Sequence, residues 1–511
     1  MKSVKILLFF ILVSLFFCCH AQSLSSIVVT KNGKIEGTIE PGMKVFKGIP
    51  FAAPPIGNLR WKAPQPVKSW DGVLKTNKFG PGSIQNQKIE QSEDCLYLNV
   101  WTPANSAKEK LPVMVWIHGG GFSAGAPLEP TYFGQALTYK GVIFVSVAYR
   151  LGILGFMAHP DLSAESPNKV SGNYGLLDMI ESLKWVKNNI SAFGGDPDKV
   201  TIFGESAGAI AVSMLCASPL ARGLFRGAIS ESGGSFGPVG DTRQDGIISL
   251  KGAENSGVEF MKQLGATTID ELRKMDPQQW FKNPALRVSF WPNADGYIIP
   301  DDQYKLYEAG KYNDVNVIVG TNSDEGAMFA RAVEPDVYKK GLEQRFGSFS
   351  GKIVEAFPGD TKEQTATSTA DIFTATAFAW PSWSWARLQS RTGKSKVYLY
   401  YFDQQQPKAP FMSIVPRGAQ HAAEIKYVLQ TMDPKTAGKE DLKLSELMAT
   451  YWTNFAKYGN PNGKNLPNWP EFKEKNPSVM YLDSIPRQGP VPKPDKLELM
   501  EQYFKFRRES K

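Results

Sequence analysis

The chain has 511 residues, 42% of them hydrophobic and 21% charged, with a formal net charge of +8. This is a globular composition with ample material for a core, and it excludes a disordered or low-complexity chain. The basic residues are scattered apart from a C-terminal Lys-Phe-Arg-Arg, so no basic stripe points to nucleic acid.

The N-terminus is set apart. Lys2 and Lys5 precede the apolar run ILLFFILVSLFF, 6–17, followed by Cys-Cys-His-Ala-Gln-Ser. A basic start, a short apolar stretch and small residues ahead of a cut read as a secretory signal peptide over residues 1–21. The run is too short to span a bilayer as a helix. Cys19 and Ala21 fall at −3 and −1 of a cut before Gln22. A lipid anchor on Cys18 or Cys19 is the alternative, opposed by the bulky Phe17 or Cys18 ahead of each. The expected product is a secreted or periplasmic chain, 22–511, forming one domain with no obligatory membrane attachment and a net charge of +6 once two lysines leave with the leader. It keeps Cys95 and Cys216, read as two free, buried thiols.

Short β-branched and aromatic runs then alternate with helical patterns. The segments 113–117, 142–149, 200–203, 315–320 and 396–402 read as strands. Their nearly unbroken apolar character fits a mainly parallel sheet buried on both faces. The stretch 176–190 has the apolar stripe of an amphipathic helix. Strand and helix in alternation predict an α/β fold with helices on both faces. Residues 241–313 and 327–394 are more helical and read as insertions capping the sheet.

Within this pattern, Thr-Ile-Phe-Gly-Glu-Ser-Ala-Gly, 201–208, joins a strand to a helix of small and apolar residues. A serine on so sharp a strand–turn–helix corner holds its hydroxyl out above the sheet, and glycines at 204 and 208 let the turn close. Ser206 is the candidate nucleophile, and the N–H of Ala207 at the helix start points where an oxyanion would form. His118 opens His-Gly-Gly-Gly-Phe directly after the strand 113–117. That glycine loop predicts further oxyanion donors in the amides of Gly120 and Gly121, with Gly119 as the one-residue alternative, and leaves the His118 side chain a structural role. His20 lies in the leader, and His159, in Met-Ala-His-Pro, reads as a helix-end or loop residue. His421, beyond the strand 396–402, is therefore the candidate base. The acid should follow a strand between serine and histidine, and Asp324 and Glu325 both qualify; either carboxylate could orient the imidazole.

The stretches 193–208 and Glu-Asp-Cys-Leu-Tyr-Leu-Asn-Val-Trp-Thr-Pro, 93–103, resemble the two signatures of type-B carboxylesterases, the family that includes the cholinesterases. Segments 48–61, 118–122, 149–156 and 172–178 are similar in style and order. The resemblance implies an α/β-hydrolase fold: a mostly parallel central sheet flanked by helices, with helical insertions over the site. It implies a serine esterase working through an acyl-enzyme, with a small-molecule ester as substrate and neither cofactor nor metal. It assigns the acid to Glu325 and the base to His421, keeps Gly120, Gly121 and Ala207 as oxyanion donors, and places Ser232 near the acid.

The chain departs from the family where a cysteine should pair with Cys95; Ser83 stands about there. Ala422 follows the histidine where many relatives have glycine. Segment 78–92 is short and lacks tryptophan, so the cation platform of the cholinesterases is not expected. The stretch Phe-Ala-Trp-Pro-Ser-Trp-Ser-Trp-Ala-Arg, 378–387, offers two readings. Trp380, Trp383 and Trp385 line an acyl pocket, or they pack a helix onto the core. Two other functions remain open at this level: an envelope esterase acting on acylated glycans, and a catalytically silent binding relative.

Overall fold

The computed structural model describes residues 25–510 except 245, 284, 285, 287, 288, 406, 408–411 and 413. The leader and its cut before Gln22, with Cys18 and Cys19, lie outside the described residues. Eleven strands form one sheet: β1 (Thr38–Glu40), β2 (Met43–Pro50), β3 (Tyr97–Thr102), β4 (Leu111–Ile117), β5 (Ile143–Val147), β6 (Gly195–Glu205), β7 (Gly227–Glu231), β8 (Asn316–Asn322), β9 (Val397–Phe402), β10 (Val479–Leu482) and β11 (Arg487–Gly489). Their spatial order is β1-β2-β3-β5-β4-β6-β7-β8-β9-β10-β11. From β5 through β10 every neighbour is parallel; the pairs at both ends are antiparallel.

Each central strand feeds two cores by alternation. In β4, Val113, Val115 and Ile117 enter one apolar layer, and Met114 and Trp116 the other. Helices α1 (Tyr174–Asn189), α2 (Ala207–Ala217), α4 (Trp380–Thr392) and α6 (Pro494–Glu509) cover the first layer, while α5 (Lys439–Tyr458) covers the second with Leu444, Met448, Trp452 and Phe455. The strands expected from sequence are present with ends moved by a few residues, most at β6, which starts at Gly195. Strands β2, β3 and β7 carry no unbroken β-branched run: β7 reads Gly-Ala-Ile-Ser-Glu and is a strand because it is clamped in parallel between β6 and β8.

The second insertion is helical; the first carries helices and two short strands, Ile247–Ser249 and Asn293–Ala294, of a separate three-stranded sheet. In the second, α3 (Lys362–Phe373) and α4 are one helix interrupted by a π-turn, Thr374–Ala379. Pro381 has no N–H for the regular ladder, and the helix widens just ahead of it. Arg150, after β5, forks onto Asp178 of α1 at 2.8 and 2.7 Å, with both side chains buried, and fixes that helix against the strand ends. Cys95 and Cys216 are free and buried, as the sequence reading expects. The Ser83 hydroxyl lies against the Cys95 thiol, at the place where the family resemblance expects a second cysteine.

Candidate active site

Ser206 stands between β6 and α2 with φ +56° and ψ −122°, a backbone state that non-glycine residues rarely adopt. Its N–H donates to the Glu231 carbonyl at 2.9 Å, fastening the corner to β7. A Cβ on Gly204 would lie 2.4 Å from the Ile117 carbonyl oxygen, and one on Gly208 2.0 Å from the same atom. The corner is pressed against the end of β4, and only glycine fits on either side of the serine.

The structure brings the three chemically matched side chains together across the sheet's C-terminal edge. His421 Nε2 lies 2.9 Å from Ser206 Oγ, and Nδ1 lies 2.6 Å from Glu325 Oε2. Glu325 is fully buried and its other oxygen accepts the N–H of Asn322 at 2.7 Å. Asp324 turns elsewhere: its carboxylate accepts the backbone N–H of Arg417 at 2.6 Å and pairs with that guanidinium at 3.3 Å. Of the two adjacent acids, only Glu325 touches the imidazole. The loop behind it is held by the Gly326 N–H donating to Thr374 Oγ1 in the π-turn, at 2.9 Å.

The glycine loop runs beside the serine. Gly120 (φ +98°) and Gly121 (φ +63°) occupy left-handed conformations, and their N–H groups have no acceptor among the described residues. The Ala207 N–H opens α2 and has no intrahelical partner. Gly119 packs so tightly that a Cβ there would meet the Glu205 carbonyl oxygen at 2.7 Å. His118 is structural: its ring stacks on Tyr149 at 4.4 Å, Nδ1 faces the Gly119 carbonyl at 2.9 Å, and burial pushes its pKa down to about 4. His159 caps the short helix Pro160–Glu165 through the Asp161 N–H.

Two buried acids beside the histidine escaped the sequence reading. Glu205, the variable residue of the Gly-x-Ser-x-Gly motif, places Oε1 3.2 Å from His421 Nε2, and burial pushes its carboxyl up to about 8. Glu424 accepts from Ser232 Oγ at 3.1 Å and from Asn322 Nδ2 at 2.5 Å, so Ser232 reaches the Glu325 surroundings through Glu424 and Asn322. Burial disfavours the charged His421 imidazole, but the carboxylates of Glu205 and Glu325 outweigh it and raise its pKa to about 9. A base must be neutral to accept a proton, so the carboxylates around His421 act on the acid limb of the rate profile. Glu205→Gln removes the first of the three carboxylates, Glu205, Glu325 and Glu424, that favour imidazolium. The acid limb of kcat/KM should then move to lower pH, and a profile that stays put or moves up would contradict the pairing.

The walls are aromatic. Phe378, in the π-turn, stacks on His421 with centroids 4.6 Å apart; Phe329 stands 5.9 Å away and is 40% exposed. Trp291 comes within 3.9 Å of the Cβ position at Gly121 and meets Phe122 edge-on at 5.1 Å. The tryptophans of the 378–387 stretch follow the packing alternative instead. Trp380 and Trp385 are fully buried in the first core layer, Trp380 stacking on Phe504 at 4.0 Å. Trp383 lies under the Arg387 guanidinium and lines a separate cavity with Ala379, Leu399 and Leu497. Among the described residues no helix is long and apolar enough to cross a membrane, and no group of three His, Cys, Asp or Glu side chains could hold a metal.

The model of the carboxylesterase family matches residues 24–500. The chain is 36% identical over 495 residues to a fumonisin B1 esterase of Sphingopyxis macrogoltabida, covering 89% of this chain and 86% of that one. It is 36% identical over 493 residues to a para-nitrobenzyl esterase of Bacillus subtilis (strain 168), covering 90% and 95%. A solved para-nitrobenzyl esterase structure superposes with a TM-score of 0.80 at 34% identity over 94% of this chain and 99% of that one.

Proposed function

The chain belongs to the carboxylesterase family, it is a carboxylic ester hydrolase of the α/β-hydrolase fold, and we propose that it works through an acyl-enzyme on Ser206. The observation that carries this reading is the unbroken pair of short hydrogen bonds from Ser206 through His421 to Glu325. Glu325 holds the proton on Nδ1, which leaves Nε2 free to take the Ser206 proton as Oγ attacks the ester carbonyl. Negative charge develops on the carbonyl oxygen. The N–H groups of Gly120, Gly121 and Ala207 stabilise it without reorganising. His421 then donates its proton to the leaving alcohol, and the acyl group stays on Ser206. Water, deprotonated by the same nitrogen, attacks the acyl carbonyl and releases the acid.

The aromatic walls at Phe378, Phe329 and Trp291 suit short acyl chains and aryl or benzyl alcohols. The names of the para-nitrobenzyl esterase relatives point to the same substrate class. The N-terminal pattern at 1–21 supports export to the periplasm or medium. A nitrophenyl phosphonate tests the mechanism: it should release one equivalent of nitrophenolate per chain and stop turnover. Turnover that survives complete labelling would overturn the reading.

A further inference from the structure

We propose that Arg417 is a positioning residue that locks the acid loop, the base loop and the aromatic wall of the site in one register, an inference that rests on the reading of Glu325 and His421 as acid and base. The two loops follow β8 and β9, which are neighbours in the sheet, but Glu325 and His421 lie 96 positions apart and need a cross-tie. Three rungs set the loops side by side. Asn322 Nδ2 donates to the Gln420 carbonyl at 2.9 Å, the Ala419 N–H to Ser323 Oγ at 2.8 Å, and the Asp324 N–H to the Ala419 carbonyl at 2.9 Å. Arg417 adds a charged one, four positions before His421. Its backbone N–H donates to Asp324 Oδ2 at 2.6 Å and its Nη2 to Oδ1 at 3.3 Å. Both oxygens of the carboxylate next to Glu325 are thus held by one residue.

The same Nη2 also donates to Asp371 Oδ1 at 2.6 Å, in the last turn of α3. Three residues further on, Thr374 accepts the Gly326 N–H, and Phe378 stacks on His421. One guanidinium therefore ties the residue beside the acid to the helix that carries the ring against the base. Two hydrogens on one planar nitrogen serve two carboxylates in fixed directions, which a flexible lysine ammonium reproduces poorly. The Arg417 side chain is 45% exposed, while those of Asp324 and Asp371 are 3% and 13% exposed. An ion pair open to water adds little to stability, so the worth of this one lies in where it holds the loops. Lys496 at 3.1 Å and Lys493 at 4.0 Å also face Asp371, and among the described residues neither makes an ion pair with the loops of Glu325 or His421. His421 itself faces the carboxylates of Glu205, Glu325 and Glu424. Through-space charge and positioning have opposite signs at His421. At fixed geometry, loss of a cation and release of Asp324 and Asp371 favour imidazolium and move the acid limb of kcat/KM to higher pH. Loosening of Glu325 from Nδ1 takes a counter-ion from imidazolium and moves the limb to lower pH.

The experiment compares Arg417→Ala, Arg417→Lys and Lys496→Gln with the wild-type mature protein on one neutral nitrophenyl ester. In Arg417→Ala, kcat on the alkaline plateau should fall about tenfold with KM little changed, the scale of a misplaced catalytic pair, and the acid limb should move to lower pH. Millimolar guanidinium, which can enter the half-exposed gap, should restore most of the lost kcat; ammonium at the same concentration should not. Arg417→Lys should lie between wild type and alanine. Lys496→Gln, which removes a charge from Asp371 but no tie to the loops, should keep the wild-type kcat and profile. An undiminished kcat in Arg417→Ala, an acid limb that moves to higher pH, a loss that guanidinium leaves unrepaired, or an equal loss in Lys496→Gln would overturn the proposal. Where Arg417→Ala does not fold, the acid limb of Arg417→Lys decides by the same sign. Wild-type rates in Glu325→Gln and His421→Ala would instead withdraw the acid and base, whatever Arg417 does.

Discussion

Replacing Ser206 by alanine should lower kcat by about a millionfold while leaving the fold intact, as expected where one nucleophile begins every turnover. The substitution removes a single oxygen from a side chain whose one hydrogen bond among the described residues is to His421. The corner itself is held by backbone, through the Ser206 N–H on the Glu231 carbonyl and the close approach of Gly204 and Gly208 to β4, so the elbow should survive. His421→Ala should cost nearly as much, and the double variant little more than either single one, because the groups act in one step and their losses do not add. Unchanged far-ultraviolet dichroism and an unchanged denaturation midpoint check the fold. Activity within a hundredfold of wild type would move the nucleophile to another residue.

The second large effect separates two neighbours. Glu325→Gln should lower kcat by about ten-thousandfold, because an amide facing Nδ1 favours the wrong imidazole tautomer and cannot stabilise the imidazolium. Asp324→Asn should have a small fraction of that effect, since its carboxylate serves Arg417 and not His421. Steady-state rates on one neutral nitrophenyl ester decide between them. The reverse order would transfer the acid to Asp324.

These two residues also show where the sequence is informative and where it stops. The corner at Ser206 is legible because its requirements are local: a strand, two glycines and a helix start within a few residues. The acid is not, because Asp324 and Glu325 are adjacent, both follow β8 and both are buried. What separates them is backbone direction. Asp324 makes a single bridge to Gln420, and the chain turns into a 3₁₀ segment at Glu325, which aims only the second carboxylate at the imidazole. The aromatic stretch behaves likewise. Its composition announces rings on a helix, but the π-turn ahead of Pro381 sets the register, sending Phe378 to His421 and Trp380 and Trp385 into the core. Strand β7 was illegible because a Gly-Ala-Ile-Ser-Glu run owes its conformation to its neighbours. Glu205 carried a signal that composition could have revealed, an acid inside a strand end otherwise apolar, yet its partner His421 lies 216 positions later and only the fold joins them.

The central claim is that an ester's acyl group passes through Ser206. The most direct measurement is to mix the mature protein with excess 4-nitrophenyl acetate, quench in acid during turnover, digest, and weigh the peptide that spans Gly204 to Gly208. The account predicts one acetyl group per chain, on the Ser206 hydroxyl, absent from the Ser206→Ala protein. Acetyl on another residue during turnover, or full turnover by the Ser206→Ala protein, would contradict it.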